Sequence, residues 1–218
     1  MNKPLIRTMS GQLATRIRER ILTGEYAPGA QLLQDSLAAE FGVSKIPVRE
    51  ALVQLRSEGL VDVFAHRGFQ VRAVSMGEMQ EVFSLRLSTE PEAVAKGARV
   101  ASSEDHASAN AALSALSKAL AAEEFGHSGD LNSAFHLALI VPRLQPVANE
   151  TLQRLHTLSE RYVRLHLQSA ERVPRANKEH VTLYEAWSTG NARAAQRLTR
   201  IHIEETRDDL AAALATSR

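Results

Sequence analysis

The stretch Leu37-Ala-Ala-Glu-Phe-Gly-Val-Ser-Lys-Ile-Pro-Val-Arg-Glu-Ala-Leu-Val-Gln-Leu-Arg-Ser-Glu-Gly-Leu60 decides the fold of the N-terminal third of the chain. Its first part belongs to a short helix over about Gln34–Phe41, ended by Gly42, which takes the left-handed backbone of a C-terminal cap without steric cost. A second helix opens at Val43-Ser44 and runs to about Ser57. Ser44 is a good N-cap, Pro47 falls in the first turn, where its missing N–H does no harm, and Gly59 closes the helix. Two helices joined by a short Gly-containing turn are helix-turn-helix geometry. The second helix presents Ser44, Lys45 and Arg49 from its first turns, with Pro47 on the same leading edge. From a helix N-terminus in a major groove, such side chains reach base edges or phosphates. Val48, Leu52 and Leu55 on the opposite face are expected to pack against Leu13, Ile17, Leu37 and Phe41.

Upstream, Leu13, Ile17 and Ile21 recur every four residues among Arg16, Arg18, Glu19 and Arg20, which predicts an amphipathic helix from Ser10 to Leu22. Pro28-Gly29 then marks a turn. Downstream, Val61–Phe64 and Phe69–Val74 are β-prone runs separated by Ala65-His66-Arg67-Gly68, a hairpin pattern. Its tip sets His66 and Arg67 beside the flexible Gly68, which suits a wing lying along a DNA backbone or minor groove. After Ser75 the chain is helical throughout. Ser75-Met-Gly-Glu78 is a capping-box pattern opening a helix to about Arg99, and further helices are expected at 104–124, 130–140, 146–170, 175–189 and 192–215. The fold is therefore expected to be mainly α. Residues 1–74 form a winged helix-turn-helix and residues 75–218 an all-α antiparallel bundle.

Length and composition agree with two globular domains: 218 residues, 44% apolar and 23% charged. The absence of cysteine excludes disulfides, thiolate metal sites and thiol catalysis. No apolar run is long enough to span a membrane, and no secretion signal is read at the N-terminus, so a cytoplasmic location without a membrane partner is expected. The net charge of +1 is unevenly distributed. Residues 1–74 carry ten Lys and Arg against seven Asp and Glu, and the remainder carries sixteen against eighteen. An excess of cations in the N-terminal part is the sign that suits phosphate contact.

Of the eight histidines, three stand out in the helical part. Asn132 and His136 are spaced i, i+4 and share one helix face. His180 lies ten residues before Gly190 and His202 eleven after Asn191, so an antiparallel helix pair turning at Gly190-Asn191 brings them side by side. Three imidazoles and an oxygen converging inside a bundle form a site for a divalent transition metal, zinc or nickel. Histidines satisfied within a core are the alternative reading. His156 and His166 are read as surface or packing residues. Glu179, next to His180, is read as pointing to a different helix face.

The quoted stretch resembles the GntR pattern LAxxxGVSRxPVREALxxLxxEGLV, and Arg67-Gly68-Phe69-Gln70-Val71 resembles the wing of that family. Two positions depart from it. Lys45 replaces the usual Arg, giving up a bidentate guanine fork for a point charge, and Asp35 stands where some members carry a DNA-contacting Arg. Residues 75–218 resemble the FCD ligand-binding domain of the FadR subfamily, through Arg86-Leu-Ser-Thr-Glu90, Asn132-Ser-Ala-Phe-His136, Glu179-His180 and His202. The resemblance implies a metal held by Asn132, His136, His180 and His202. It further implies a small, often carboxylate, effector in the same pocket, with Arg86 as the residue that fixes its charge; pairing of Arg86 with Glu90 is the alternative. Asn132 replaces the Asp of many members, which predicts weaker metal retention.

The expected function is a homodimeric, sequence-specific repressor of a pseudo-palindromic operator on double-stranded DNA, controlled by a small organic acid. A metal-dependent hydrolase using the three histidines and an architectural DNA binder without effector are the alternatives. The first lacks a His-Glu-x-x-His helix and a clear general base beside the ligands.

Overall fold

Leu13, Ile17 and Ile21, together with Ala14 and Leu22, form the buried face of α1 (Met9–Leu22). This computed structural model describes residues 8–64, 67–122, 128–141, 144–167 and 172–216. The helix begins one residue before Ser10 because the Thr8 side chain caps it, accepting from the Gly11 N–H at 3.2 Å. α2 (Gln34–Phe41) and α3 (Lys45–Ser57) follow at the expected positions, and Gly42 between them has φ 66° and ψ 35°. Val48, Leu52 and Leu55 are fully buried in one cluster with Leu13, Ile17 and Leu37, and Phe41 packs at its edge.

The wing pairs β2 (Val61–Phe64) with β3 (Gly68–Val71) antiparallel, Val61 opposite Val71. It differs from the expected hairpin in two respects. A two-residue strand, β1 (Gln31–Leu32), pairs with the other edge of β3, giving the order β1-β3-β2. In addition β3 stops at Val71 instead of running to Val74. Val71 exchanges hydrogen bonds with Gly29 and Ala30, and the Arg72 N–H donates to the Leu60 carbonyl at 3.0 Å, which completes the ladder.

The chain divides into two compact units, Met1–Ala73 and Val74–Arg218. The second contains α4 (Met76–Val100), α5 (Ser103–Ala121), α6 (Ser128–Ala138), α7 (Pro146–Leu167), α8 (Arg172–Ser188) and α9 (Ala192–Thr216). The Ser75 side chain caps α4 by accepting from the Glu78 N–H at 3.1 Å, but the reciprocal half of the expected capping box is absent. The Ser75 N–H instead donates to the Tyr162 hydroxyl, which itself donates to the Glu78 carboxylate at 2.8 Å. Burial and this carboxylate push the Tyr162 phenol up to about 12. Phe83, Phe135, Leu139, Tyr162 and Trp187 are among the fully buried residues of this unit's core. A close approach within it requires glycine: a Cβ on Gly97 would lie 2.0 Å from the Leu139 carbonyl oxygen, which accepts from the Trp187 indole at 2.8 Å.

Candidate DNA-reading face and candidate metal centre

At the head of α3, Ser44 has the extended backbone of an N-cap but makes no side-chain cap hydrogen bond, so its hydroxyl is not consumed by the helix. Pro47 occupies the first turn and Val48 turns inward, leaving Ser44, Lys45, Ile46 and Arg49 exposed. Arg49 has no ion-pair partner among the described residues. Lys45 is paired with Asp35 of α2 at 2.5 Å, both side chains remaining largely in solvent. Arg67 and Gly68 are exposed at the wing, where the Arg67 carbonyl accepts from Gln31 at 2.8 Å. A cleft of about 320 Å³ between the helix pair and the wing is lined by Leu33, Asp35, Lys45, Arg67 and Gly68 among others. His66 lies outside the described residues. Ile46, at 71% exposure, was not foreseen. It occupies a variable position of the motif, and an apolar side chain there carries no helix-facing signal.

Three histidines meet in the helical unit. His136 comes from α6, His180 from α8 and His202 from α9, with exposures of 0, 1 and 8%. Ring centroids are 5.4 Å apart for His136 and His180, 5.1 Å for His136 and His202, and 4.6 Å for His180 and His202. One ring nitrogen from each lies within 4.8 Å of the others. Asn132 is buried one turn before His136. The antiparallel turn that aligns α8 with α9 is made at Gly190, φ 73°.

Around them stands a layer of polar contacts that the residue pattern did not disclose. His156 is a packing residue, buried at 1% exposure, its ring 5.4 Å from that of His136. Glu90, wholly buried on α4, is the hub. Its Oε1 lies 2.9 Å from His136 Nδ1 and its Oε2 3.3 Å from His156 Nε2. Both are close approaches off the line of a strict hydrogen bond, since both His136 nitrogens and both His156 nitrogens lack hydrogen-bond partners of good geometry among the described residues. Arg86 grips the same carboxylate with Nε at 2.8 Å and Nη2 at 3.3 Å and donates from Nη1 to Ser159. Arg86 therefore pairs with Glu90 of its own helix, four residues on, the contact given above as the alternative to an effector. Burial alone would raise the Glu90 carboxyl, but Arg86, with His156 and His136, holds it well below the usual carboxylate range. Burial and the Arg86 charge lower His156 to about 4, so its ring is neutral at physiological pH.

Glu179 adds a contact that its place beside His180 did not disclose. It occupies a different face of α8 from His180, but α9 lies against that face, and Glu179 Oε2 meets His202 Nδ1 at 2.7 Å. Arg175, one turn earlier, contacts the other Glu179 oxygen at 3.2 Å.

The donor set suits a divalent transition metal. A buried imidazole nitrogen without a partner costs about 1–3 kcal/mol, and His136 Nε2 is such an atom. Coordination is the use that its two imidazole neighbours permit.

Residues 9–71 match the family described as bacterial regulatory proteins, gntR family, and residues 81–205 match the FCD domain. The chain belongs to the GntR family. It is 28% identical over 196 residues to the HTH-type transcriptional repressor GlaR of Escherichia coli (strain K12), a match covering 86% of this chain and 89% of that relative. Its fold is shared with a GntR transcriptional regulator from Rhodococcus sp. RHA1 (TM-score 0.82, 22% identity, 94% of this chain and 98% of that one). McbR/YncC of E. coli is similar in the same sense (TM-score 0.80, 22% identity, 93% and 97%). This GntR-family protein is thus a DNA-binding transcriptional regulator and not an enzyme, built as a winged helix-turn-helix joined to an all-α FCD domain. No described helix is long and apolar enough to cross a membrane.

Proposed function

We propose that this GntR-family regulator is a dimeric repressor whose hold on a pseudo-palindromic operator is set by a small organic acid. The acid binds at a divalent transition metal in the helical domain. Residues 1–74 read the DNA, and residues 75–218 bind metal and effector and dimerise. One observation carries the reading: three buried imidazoles from three helices share a space in which one ring nitrogen of each lies within 4.8 Å of the others. Apolar packing has no use for three such groups together. Each must be stripped of water, a cost that only a shared partner returns.

His136, His180 and His202 would hold the ion, with the Asn132 amide oxygen as fourth donor. Zinc or nickel suits this nitrogen-rich set. Bound there, a divalent ion supplies Lewis acidity and an open coordination position that a carboxylate can fill. Arg86 keeps Glu90 ionised beside His136 and so belongs to the support of the centre. At the DNA end, Arg49 reads a base edge or clamps a phosphate, Ser44 and Lys45 contact the backbone at the helix N-terminus beside Pro47, and His66, Arg67 and Gly68 of the wing follow the adjacent groove. An effector that binds one conformation of the helical domain better than another changes operator affinity by that difference, and DNA changes effector affinity equally.

The test is elemental analysis with native mass spectrometry of the purified chain, followed by operator release. The operator is obtained by selection from random DNA, and the release is driven by a panel of short mono- and dicarboxylates. Wild type should carry a divalent transition metal and respond to one of the panel. The double variant His180→Ala/His202→Ala should carry none and bind the operator without responding. Unchanged metal content and an unchanged response in that variant overturn the reading.

A further inference from the structure

Two of the three imidazoles at the centre have a carboxylate on their far side. Glu179 Oε2 is 2.7 Å from His202 Nδ1, and Glu90 Oε1 is 2.9 Å from His136 Nδ1. The first is a hydrogen bond, and the second is a close approach without hydrogen-bond geometry. We propose that Glu179 is a positioning residue of the histidine centre, holding His202 as the Nδ1–H tautomer so that its Nε2 serves as a metal donor, while Glu90 places negative charge behind His136. The proposal rests on the metal reading above and deepens it.

A second consideration makes the carboxylates more than orienting groups. The inner donor set, three neutral imidazoles and the neutral amide of Asn132, brings no negative charge to a dication. An anion behind the ring raises the basicity of the coordinating nitrogen and supplies charge one layer out. Glu90 is shared with Arg86, whose cation cancels much of its field, whereas Glu179 is shared with the more exposed Arg175. The group Glu90, His136 and His156 also has the spacing of a metal site. It is nevertheless a poor one, because the Arg86 guanidinium already occupies both Glu90 oxygens, and a second positive charge there would be repelled. Glu90 therefore serves the neighbouring centre rather than a second ion.

The test uses cobalt(II) as the metal. The full chain, stripped of metal, is titrated against a competing chelator, and the visible d–d bands of bound cobalt report ligand geometry. Glu179→Gln carries the test, because Glu179 is a quarter exposed and its loss leaves no buried charge. Glu90→Gln strands Arg86 in the interior and is interpreted only where circular dichroism matches wild type. Glu179→Gln should bind cobalt 10–100-fold more weakly, the range for losing such an outer partner, and its bands should shift. In the metal-free protein, long-range ¹H–¹⁵N spectra of the imidazoles should show His202 as one Nδ1–H tautomer in wild type and as a mixture in the variant, a signature that altered stability alone would not produce. A cobalt affinity within about threefold of wild type, well inside that range, with an unchanged His202 tautomer, overturns the positioning role while leaving the metal reading intact. Absence of cobalt uptake by wild type removes both.

Discussion

At the head of α3, Ser44, Lys45 and Arg49 stand in solvent, whereas His136, His180 and His202 of the helical domain are at most 8% exposed. The contrast is one of what holds a functional group in place. The exposed cations are long side chains on a small, well-packed helix pair, and the fold gains almost nothing from them. Their energy is realised when DNA replaces water and counterions. Each buried imidazole has surrendered its hydration in advance and persists because neighbours from other helices answer it. Substitutions at the reader should therefore change binding without changing stability. Substitutions around the centre should change stability and ligand retention together.

The sharpest break of that contrast is at Gly97. An alanine Cβ would stand 2.0 Å from the Leu139 carbonyl oxygen, at the end of the helix that carries His136, and 3.1 Å from the Trp187 indole nitrogen. Backbone has to move, and Gly97→Ala should destabilise the helical domain by about 4 kcal/mol or more, the class of effect reserved for forced rearrangement of a core. Trp187 is the chain's one tryptophan, so denaturation followed by its fluorescence isolates this domain. Wild-type stability in Gly97→Ala would disprove the close packing of α4 on the end of α6.

The next effect is one of pH. The folded-state value of His156 is about 4 against an ordinary 6.5, so the unfolded chain binds its proton more readily than the fold does. The contribution is whole above about pH 6.5 and is lost as pH falls toward 4, in total on the order of 3 kcal/mol. Urea denaturation of the metal-free protein at pH 7 and pH 5, read at Trp187, should show the decline. His156→Leu should flatten it. A slope identical in the variant would show that another group is responsible.

Arg49→Ala tests the other side of the contrast. Operator affinity should fall about 100-fold by gel shift, equivalent to one good base or phosphate fork, while thermal stability and metal content match wild type. Retained affinity would move the recognition surface elsewhere. A matching loss of stability would show that Arg49 belongs to the packing and not to the reader.

How much of each region was legible in the sequence follows from the same difference. The reader is local: Gly42, Ser44, Pro47 and Gly59 set its helices, Val48, Leu52 and Leu55 set its inner face, and everything left over faces out. β1 escaped because two residues carry no period, Ile46 because it stands at a variable position of the motif, and β3 ends at Val71 although the β-prone run continues to Val74. The centre is non-local. Asn132 and His136 could be placed on one face by spacing, and His180 and His202 could be aligned across Gly190. Glu90 and His156 could not, because they lie on α4 and α7 and no spacing links helices that meet only through the core. Spacing left Arg86 open between an effector and its neighbour Glu90, because a free guanidinium and a paired one look alike in sequence. The partner of Glu179 was hidden for a related reason: a face pointing away from His180 on α8 points at His202 once α9 is laid beside it.

The smallest effect compares like with like. A carboxylate meets a cation both at Asp35–Lys45 and at Glu90–Arg86, the first with side-chain exposures of 73% and 67%, the second with 0% and 3%. In water such a pair contributes about 0–1 kcal/mol, so Asp35→Asn should leave stability unchanged. It should, however, release Lys45 and remove a negative charge from the DNA-facing cleft. Operator affinity should rise a fewfold, and the dependence of log K on log salt should steepen by roughly one unit, the increment for one additional phosphate contact. The same neutralisation at Glu90 strips a buried guanidinium of its partner, a loss of about 3–5 kcal/mol in comparable interiors. If Asp35→Asn raises affinity with no change in salt slope, Lys45 is reading a base edge and not a phosphate. Its substitution for the family's arginine would then be a choice of sequence rather than a loss of grip.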